Sequence, residues 1–198
     1  MFGATARARD GVPAGAADKE SEETIIFFRH GEKPPGGFGQ LSCQGLNRAL
    51  ALPPVLVHKF GVPEFLFAPN PSDQIDDQGQ RFDYIRPLAT IEPTAVTFGL
   101  PVNTQWGMHQ IDQLRRDLLQ PRYAKARIFV AWEHFLLAKV VKQLVAAGGA
   151  DPAAVPEWRP EDFDSIYVVT LRRSHGKLAA SFTLQHEGLD GRPTTCPS

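Results

Sequence analysis

Four side chains suited to holding and attacking a phosphate group stand at the ends of two apolar segments and at the start of a helical one. Arg29 and His30 follow Thr24-Ile25-Ile26-Phe27-Phe28, and His134 follows Ile128-Phe129-Val130-Ala131-Trp132-Glu133. Arg86 opens a stretch with helical spacing, four residues before Thr90 and so on the same helix face. Neutral imidazole is a nucleophile near neutral pH and forms covalent intermediates. Guanidinium groups match phosphate oxygens through paired N–H donors. They also stabilise negative charge on a phosphoryl group in transfer. Clustered cations disfavour a protonated His30 and keep its attacking nitrogen free.

Chemistry of this kind needs elements that bring the four residues together. β-branched and aromatic runs predict strands at residues 24–28, 64–68, 127–132 and 165–171, with 177–184 as an edge strand and 101–104 as a short addition. Helical spacing predicts helices at 42–59, 84–98, 110–119 and 135–147. Ser42 is placed to cap the first helix, and Pro53-Pro54 is expected to break or kink it. The start of the second helix, at Arg86, also offers free N–H groups and a positive dipole end to an anion. Alternating strands and helices predict an α/β fold, a three-layer sandwich with a mostly parallel central sheet flanked by helices. In open sheets of this kind ligands bind outside the carboxyl ends of the strands, which is where Arg29-His30 and His134 fall.

The 198 residues, with 42% hydrophobic content, suffice for one domain with a substantial core. Residues 24–190 are expected to form it, after a flexible leader at 1–23 and before a tail at 191–198. The leader has no apolar core and does not read as an intact signal peptide, so a cytoplasmic location is slightly favoured. The formal net charge of −1 gives no global basic field for nucleic acid or an anionic membrane. No apolar run has the length of a membrane span. Cys43 and Cys196 lack metal-ligand spacing; they are expected to be independent, with pairing open to them in an oxidising compartment. The polar segment 69–83 follows a strand and lies over the expected ligand edge, either as a solvated connection or as a lid. Residues 150–164, with three prolines, read as a surface excursion.

Arg29-His30-Gly31 at a strand end resembles the signature of the histidine phosphatase superfamily, also called phosphoglycerate mutase-like. Leu41-Ser42-Cys43-Gln44-Gly45-Leu46-Asn47-Arg48-Ala49 is similar to that family's first-helix start. Arg86-Pro87-Leu88-Ala89-Thr90 is similar to its second phosphate-binding motif, and His134 falls where a second essential histidine is expected. The resemblance covers about residues 24 to 171. It implies a metal-independent phosphatase, with no cofactor, acting on a phosphorylated small molecule or phosphoprotein. His30 would become phosphorylated, and Arg29, Arg86 and His134 would hold the phosphoryl group. A phosphate-binding module without turnover and a mutase-type phosphotransferase are the alternatives.

The resemblance fails at the proton donor. The family's Leu-x-Glu pattern is replaced by Gly107-Met108-His109-Gln110-Ile111-Asp112-Gln113-Leu114, and Phe135 stands where some members place an Asp. Glu133, beside His134, is the favoured donor and Asp112 the other candidate. Glu32 is expected to orient Arg29 or another pocket group. Lys33 either attracts the substrate or is a solvated loop charge. Trp106 and Trp132 are expected in the core rather than at the pocket.

Overall fold

The computed structural model describes residues 20–197. The expected leader therefore lies outside the described residues as far as position 19, and the first strand already begins at Ser21. Eight strands and four helices follow: β1 (Ser21–Arg29), α1 (Cys43–Phe60), β2 (Phe65–Phe67), β3 (Gln74–Asp77), β4 (Gln80–Asp83), α2 (Arg86–Phe98), β5 (Val102–Asn103), α3 (Ile111–Leu118), β6 (Arg127–Trp132), α4 (His134–Ala147), β7 (Ser165–Ser174) and β8 (Lys177–His186).

Six strands form one sheet in the order β5-β2-β6-β1-β7-β8. β5, β2, β6 and β1 run parallel, and only β7 opposes them. Because β1 and β6 are covered on both faces, their sequences are continuous apolar runs rather than alternating ones. Ile25, Phe27, Ile128 and Val130 face α3 and α4, while Ile26, Phe28, Phe129 and Ala131 face α1 and α2. This is the three-layer α/β sandwich expected from the sequence.

The adjacency of β1 and β6 assembles the site. Arg29 is in register with Trp132, and the His30 N–H donates to the Trp132 carbonyl at 3.2 Å. Two strands separated by almost 100 residues of chain thus end side by side, one on Arg29-His30 and the other on Glu133-His134.

Several expectations are corrected. α1 does not break at Pro53-Pro54. Leu52, Pro53 and Leu56 are buried on the apolar face of α1, and that burial offsets the lost backbone bonds. Cys43 and Cys196 are not independent but form a disulfide, with Cα atoms 4.4 Å apart. The bridge ties the tail to the first turn of α1, where the Asn47 amide also donates to the carbonyls of Pro193 and Thr195. The segment 69–83 contains the two-stranded β3–β4 hairpin. Among the described residues, no helix is long and apolar enough to cross a membrane.

Candidate active site

A cavity of about 200 Å³ opens at the carboxyl ends of β1 and β6. Arg29, His30, Lys33, Arg86, Glu133 and His134 all line it, joined by Asp76, Asp77, Tyr84 and Met108. The sequence-predicted set is therefore gathered in one place, apart from Glu32 and Asp112.

His30 is buried at the cavity wall. Its Nδ1 lies 2.7 Å from the Gly31 carbonyl, so Nδ1 carries the proton and donates it there. That bond fixes the tautomer in which Nε2 holds a free lone pair. Burial, with Arg86 and then Arg29 nearby, pulls the imidazole well below its usual range. His30 is therefore neutral at pH 7 and competent as a nucleophile.

The loop that presents His30 is held by backbone contacts. The Gly31 N–H donates to Thr90 Oγ1 at 2.9 Å, and that hydroxyl donates to the Arg86 carbonyl at 2.8 Å. A Cβ on Gly31 would lie 2.8 Å from the Gly45 carbonyl oxygen, and one on Gly45 would overlap the Glu32 carbonyl. The two motif glycines thus let the first turn of α1 pack directly on the His30 loop. Ser42 caps that turn, its Oγ accepting from the Gly45 N–H at 3.1 Å.

Arg29 is 4% exposed. One guanidinium nitrogen donates to the carbonyls of Pro160 and Asp162 at 2.6 and 2.9 Å, and the group stacks 3.8 Å above the Phe163 ring. Burial lowers its pKa to about 10, which leaves it charged at neutral pH. The segment 150–164 is therefore more than a surface excursion. Buried Trp158 anchors it, donating to the Asp162 carbonyl at 3.0 Å, and it forms the bed that aims Arg29. Proline-rich sequence gave no sign of this, because backbone carbonyls and one ring make the contacts.

Arg86 begins α2, but the first two amides there are not free for an anion as expected. The N–H groups of Ile85 and Arg86 both donate to the Gly39 carbonyl at 3.0 Å, and Pro87 has none. The guanidinium itself faces the cavity. Its Nη1 donates to Asp77 Oδ2 at 2.7 Å, and its Nε has no partner among the described residues. Tyr84 stands just before the helix, 5.1 Å from Arg86 and edge-on to His30 at 5.9 Å. Its hydroxyl is buried without a partner, and burial raises its pKa, so it remains a protonated donor.

His134 heads α4 with both ring nitrogens buried and unpaired by hydrogen bonds. Its Nδ1 lies 2.6 Å from Glu133 Oε1 in a contact without hydrogen-bond alignment. The other Glu133 oxygen caps α4, accepting from the Leu136 N–H at 2.9 Å. Burial raises the Glu133 pKa, but His134 and the helix-start amides outweigh it and hold the carboxylate below its ordinary range. Glu133 is thus a helix cap and a neighbour for His134, a poor setting for the proton donor expected of it.

The remaining candidates separate clearly. Asp112 is exposed on α3, accepts from the Gln143 amide at 3.1 Å and does not reach the cavity. Glu32 does not touch Arg29; it binds Arg48, with Nη2 at 2.8 Å. Lys33 lies 3.6 Å from Asp77 and is half-exposed at the rim. Trp132 is buried in the core, donating to the Met108 carbonyl, and Trp106 binds Asp117 outside the cavity. His58, His109, His175 and His186 are exposed. Asp77 and Tyr84 were missed. Nothing distinguishes Asp77 from Asp76 in the sequence until the β3–β4 register turns one side chain inward.

Among the described residues, ten buried side-chain polar atoms lack a hydrogen-bond partner and five belong to this cavity: Arg29 Nε, Tyr84 Oη, Arg86 Nε and both His134 nitrogens, of which Nδ1 already lies against Glu133. Leaving buried polar groups unpaired is costly, so their convergence marks a place built to receive an oxygen-rich group. A wider groove of about 550 Å³ beside α3, lined by Trp106, Arg116 and Arg122, has no such convergence.

The chain has the phosphoglycerate mutase-like fold. It superposes on a Nakamurella multipartitia protein assigned as the phosphohistidine phosphatase SixA, with a TM-score of 0.57 and 14% identity over 88% of this chain and 98% of that one. A mycobacterial glucosyl-3-phosphoglycerate phosphatase with bound inorganic phosphate gives 0.51 and 16% identity over 81% and 95%. Plasmodium falciparum phosphoglycerate mutase gives 0.52 and 12% over 85% and 92%. No protein-family model matches the chain, and no curated protein matches it.

Proposed function

We propose that the protein is a metal-independent phosphatase that hydrolyses a phosphate monoester through a phosphohistidine on His30. The observation that carries this reading is a buried, neutral His30 with Nε2 free, set among unpaired donors from three separate elements. A binding site for phosphate alone has no use for a nucleophile prepared in this way. Arg29, Arg86, His134 and Tyr84 bind the phosphoryl oxygens and stabilise charge developing on them. The arginines provide positive charge of the kind that divalent cations provide in other phosphoryl transfers. The cavity, at about 200 Å³, holds a phosphoryl group and part of its ester, and the rest of the substrate, a small molecule or a phosphorylated protein side chain, projects outward. The reading accords with the phosphatase names of the SixA and glucosyl-3-phosphoglycerate structures.

The test is hydrolysis of 4-nitrophenyl phosphate in the presence of chelator, with native protein and His30→Ala. Turnover that persists in chelator and vanishes in the variant is expected, together with a base-stable phosphoryl adduct on His30 after rapid quench. A folded native chain that is inactive across about pH 4–8, the span of carboxylate and imidazole titration, would refute it. So would turnover that His30→Ala leaves intact.

A further inference from the structure

Alcohol esters of phosphate need a proton on the leaving oxygen, and the two carboxylates suggested by sequence do not supply one: Glu133 caps a helix and Asp112 is elsewhere. We propose that Asp77, on the β3–β4 hairpin, is the acid that protonates the leaving group, an inference that rests on the phosphatase reading above. Asp77 lines the same cavity as His30 and is 6% exposed.

Its carboxylate is held in a built cradle. Oδ2 accepts from the Gly39 N–H at 3.0 Å and from Arg86 Nη1 at 2.7 Å. Lys33 approaches Oδ1 at 3.6 Å. Gly37 has a φ of +73°, and a Cβ there would overlap the Asp77 carboxyl carbon. The glycine turn after the His30 loop therefore closes directly around this one side chain. A solvated hairpin carboxylate would need no such enclosure.

What distinguishes Asp77 from Glu133 is the source of the charge that keeps it ionised. Glu133 is held by His134 and also by backbone amides at the head of α4, and the amides remain whatever the cavity contains. Asp77 is held mainly by Arg86, the group that binds the incoming phosphoryl oxygens. A phosphate dianion on Arg86 removes most of the attraction that stabilised the carboxylate and adds a like charge beside it. Both changes favour protonation. Substrate binding thus loads the acid, with the proton drawn from solvent or from a monoanionic ester.

The bonds balance as follows. The Nε2 lone pair of His30 forms the N–P bond as the P–O bond to the leaving group breaks. That bond's electron pair passes to the leaving oxygen, which takes the Asp77 proton and departs as the alcohol. In the second half, the Asp77 carboxylate accepts a proton from water while the water oxygen attacks phosphorus. The N–P bond breaks, its electrons return to Nε2, and inorganic phosphate leaves with Asp77 protonated again.

The experiment compares kcat/KM for 4-nitrophenyl phosphate and phenyl phosphate in native protein, Asp77→Asn and Asp77→Glu, each checked for folding by circular dichroism. Phenol ionises near ~10, like tyrosine, and needs the proton far more than 4-nitrophenol. Loss of a general acid costs about 10²-fold or more where the proton is needed. Asp77→Asn should therefore lower the phenyl ester by about 100-fold and the nitrophenyl ester by less than about tenfold, with Asp77→Glu recovering part of the difference. Equal losses on both esters would reduce Asp77 to a residue that positions Arg86 and overturn the inference. A native enzyme already steeply dependent on leaving-group acidity would overturn it too. Absence of His30-dependent turnover in the native chain would instead fail the phosphatase reading itself.

Discussion

Arg48 ties the site to the scaffold, and removing its charge should be among the most damaging single changes outside the cavity. It is fully buried on α1. Its guanidinium grips Glu32, two residues after His30, through Nε at 3.1 Å and Nη2 at 2.8 Å. Nη1 binds Glu187 at 2.6 Å, and Nη2 binds Asp190 at 2.8 Å. Asp190 is largely exposed and adds little. Glu187 is buried, and one of its oxygens has no partner. The two ends of that pair behave differently. Arg48 is held more firmly protonated despite its burial, because Glu32 and Glu187 both bind it. Glu187 is pushed up to about 8 by burial, which its single cation does not overcome, and Asp164 and Glu32 add to the rise. Above about pH 8, where Glu187 is ionised, Arg48→Met would leave a buried carboxylate unpaired. Breaking a buried pair from one side costs about 3–5 kcal/mol. At a urea m-value of about 2 kcal/mol per M, a loss of about 4 kcal/mol lowers the denaturation midpoint by about 2 M. Arg48→Met/Glu187→Gln should lose less than the two single changes added together, by about 1–3 kcal/mol. The cost should also shrink from pH 8 to pH 5. A carboxyl whose folded pKa lies above its unfolded value is favoured in the folded state at low pH and loses that advantage as pH rises. An Arg48→Met loss below about 1 kcal/mol, or strict additivity with Glu187→Gln, would refute this account of the charge knot.

Two further outcomes are expected. His30, with its pKa well below the usual value, should stay neutral by NMR through pH 6.5, and the acidic limb of kcat/KM that belongs to it should lie well below that pH. The unfolded chain then takes up this proton first. Stability should therefore fall as pH drops below about 6.5, by at most about 1.4 kcal/mol per unit, and His30→Gln should remove that slope; an imidazole half-protonated at pH 6.5 would refute it. The disulfide closes a loop with a sequence separation of 153 residues. Reducing it, or replacing Cys43 and Cys196 by serine, should cost at most about 5 kcal/mol in chemical denaturation, with no free thiol detected before reduction; two titratable thiols in the purified protein would count against the pairing.

The layered fold and the gathering of Arg29, His30, Arg86 and His134 were legible because they depend on local patterns. Apolar runs buried on both faces announce β1 and β6, and a charged pair directly after each run must emerge at a strand end. The Ser42 cap and the helical spacing around Arg86 are equally local. The disulfide was not legible, because pairing depends on where residue 196 returns in space. The continuity of α1 through Pro53-Pro54 was likewise hidden. Propensity argued against it, and burial against the sheet decided it.

The functions of the acidic residues were beyond sequence altogether. Glu32, Asp77, Asp112 and Glu133 are equivalent carboxylates along the chain, each close to a candidate motif. Only folding gives Glu32 to Arg48, Glu133 to the head of α4, Asp112 to the surface and Asp77 to Arg86. The bed beneath Arg29 is a tertiary contact of the same kind, made by carbonyls and a ring more than 130 positions away. A strand's apolar pattern follows from which faces must be dry, and that pattern is written residue by residue. A charge takes its chemical character from what stands within a few ångströms of it, and that environment exists only once distant segments have met.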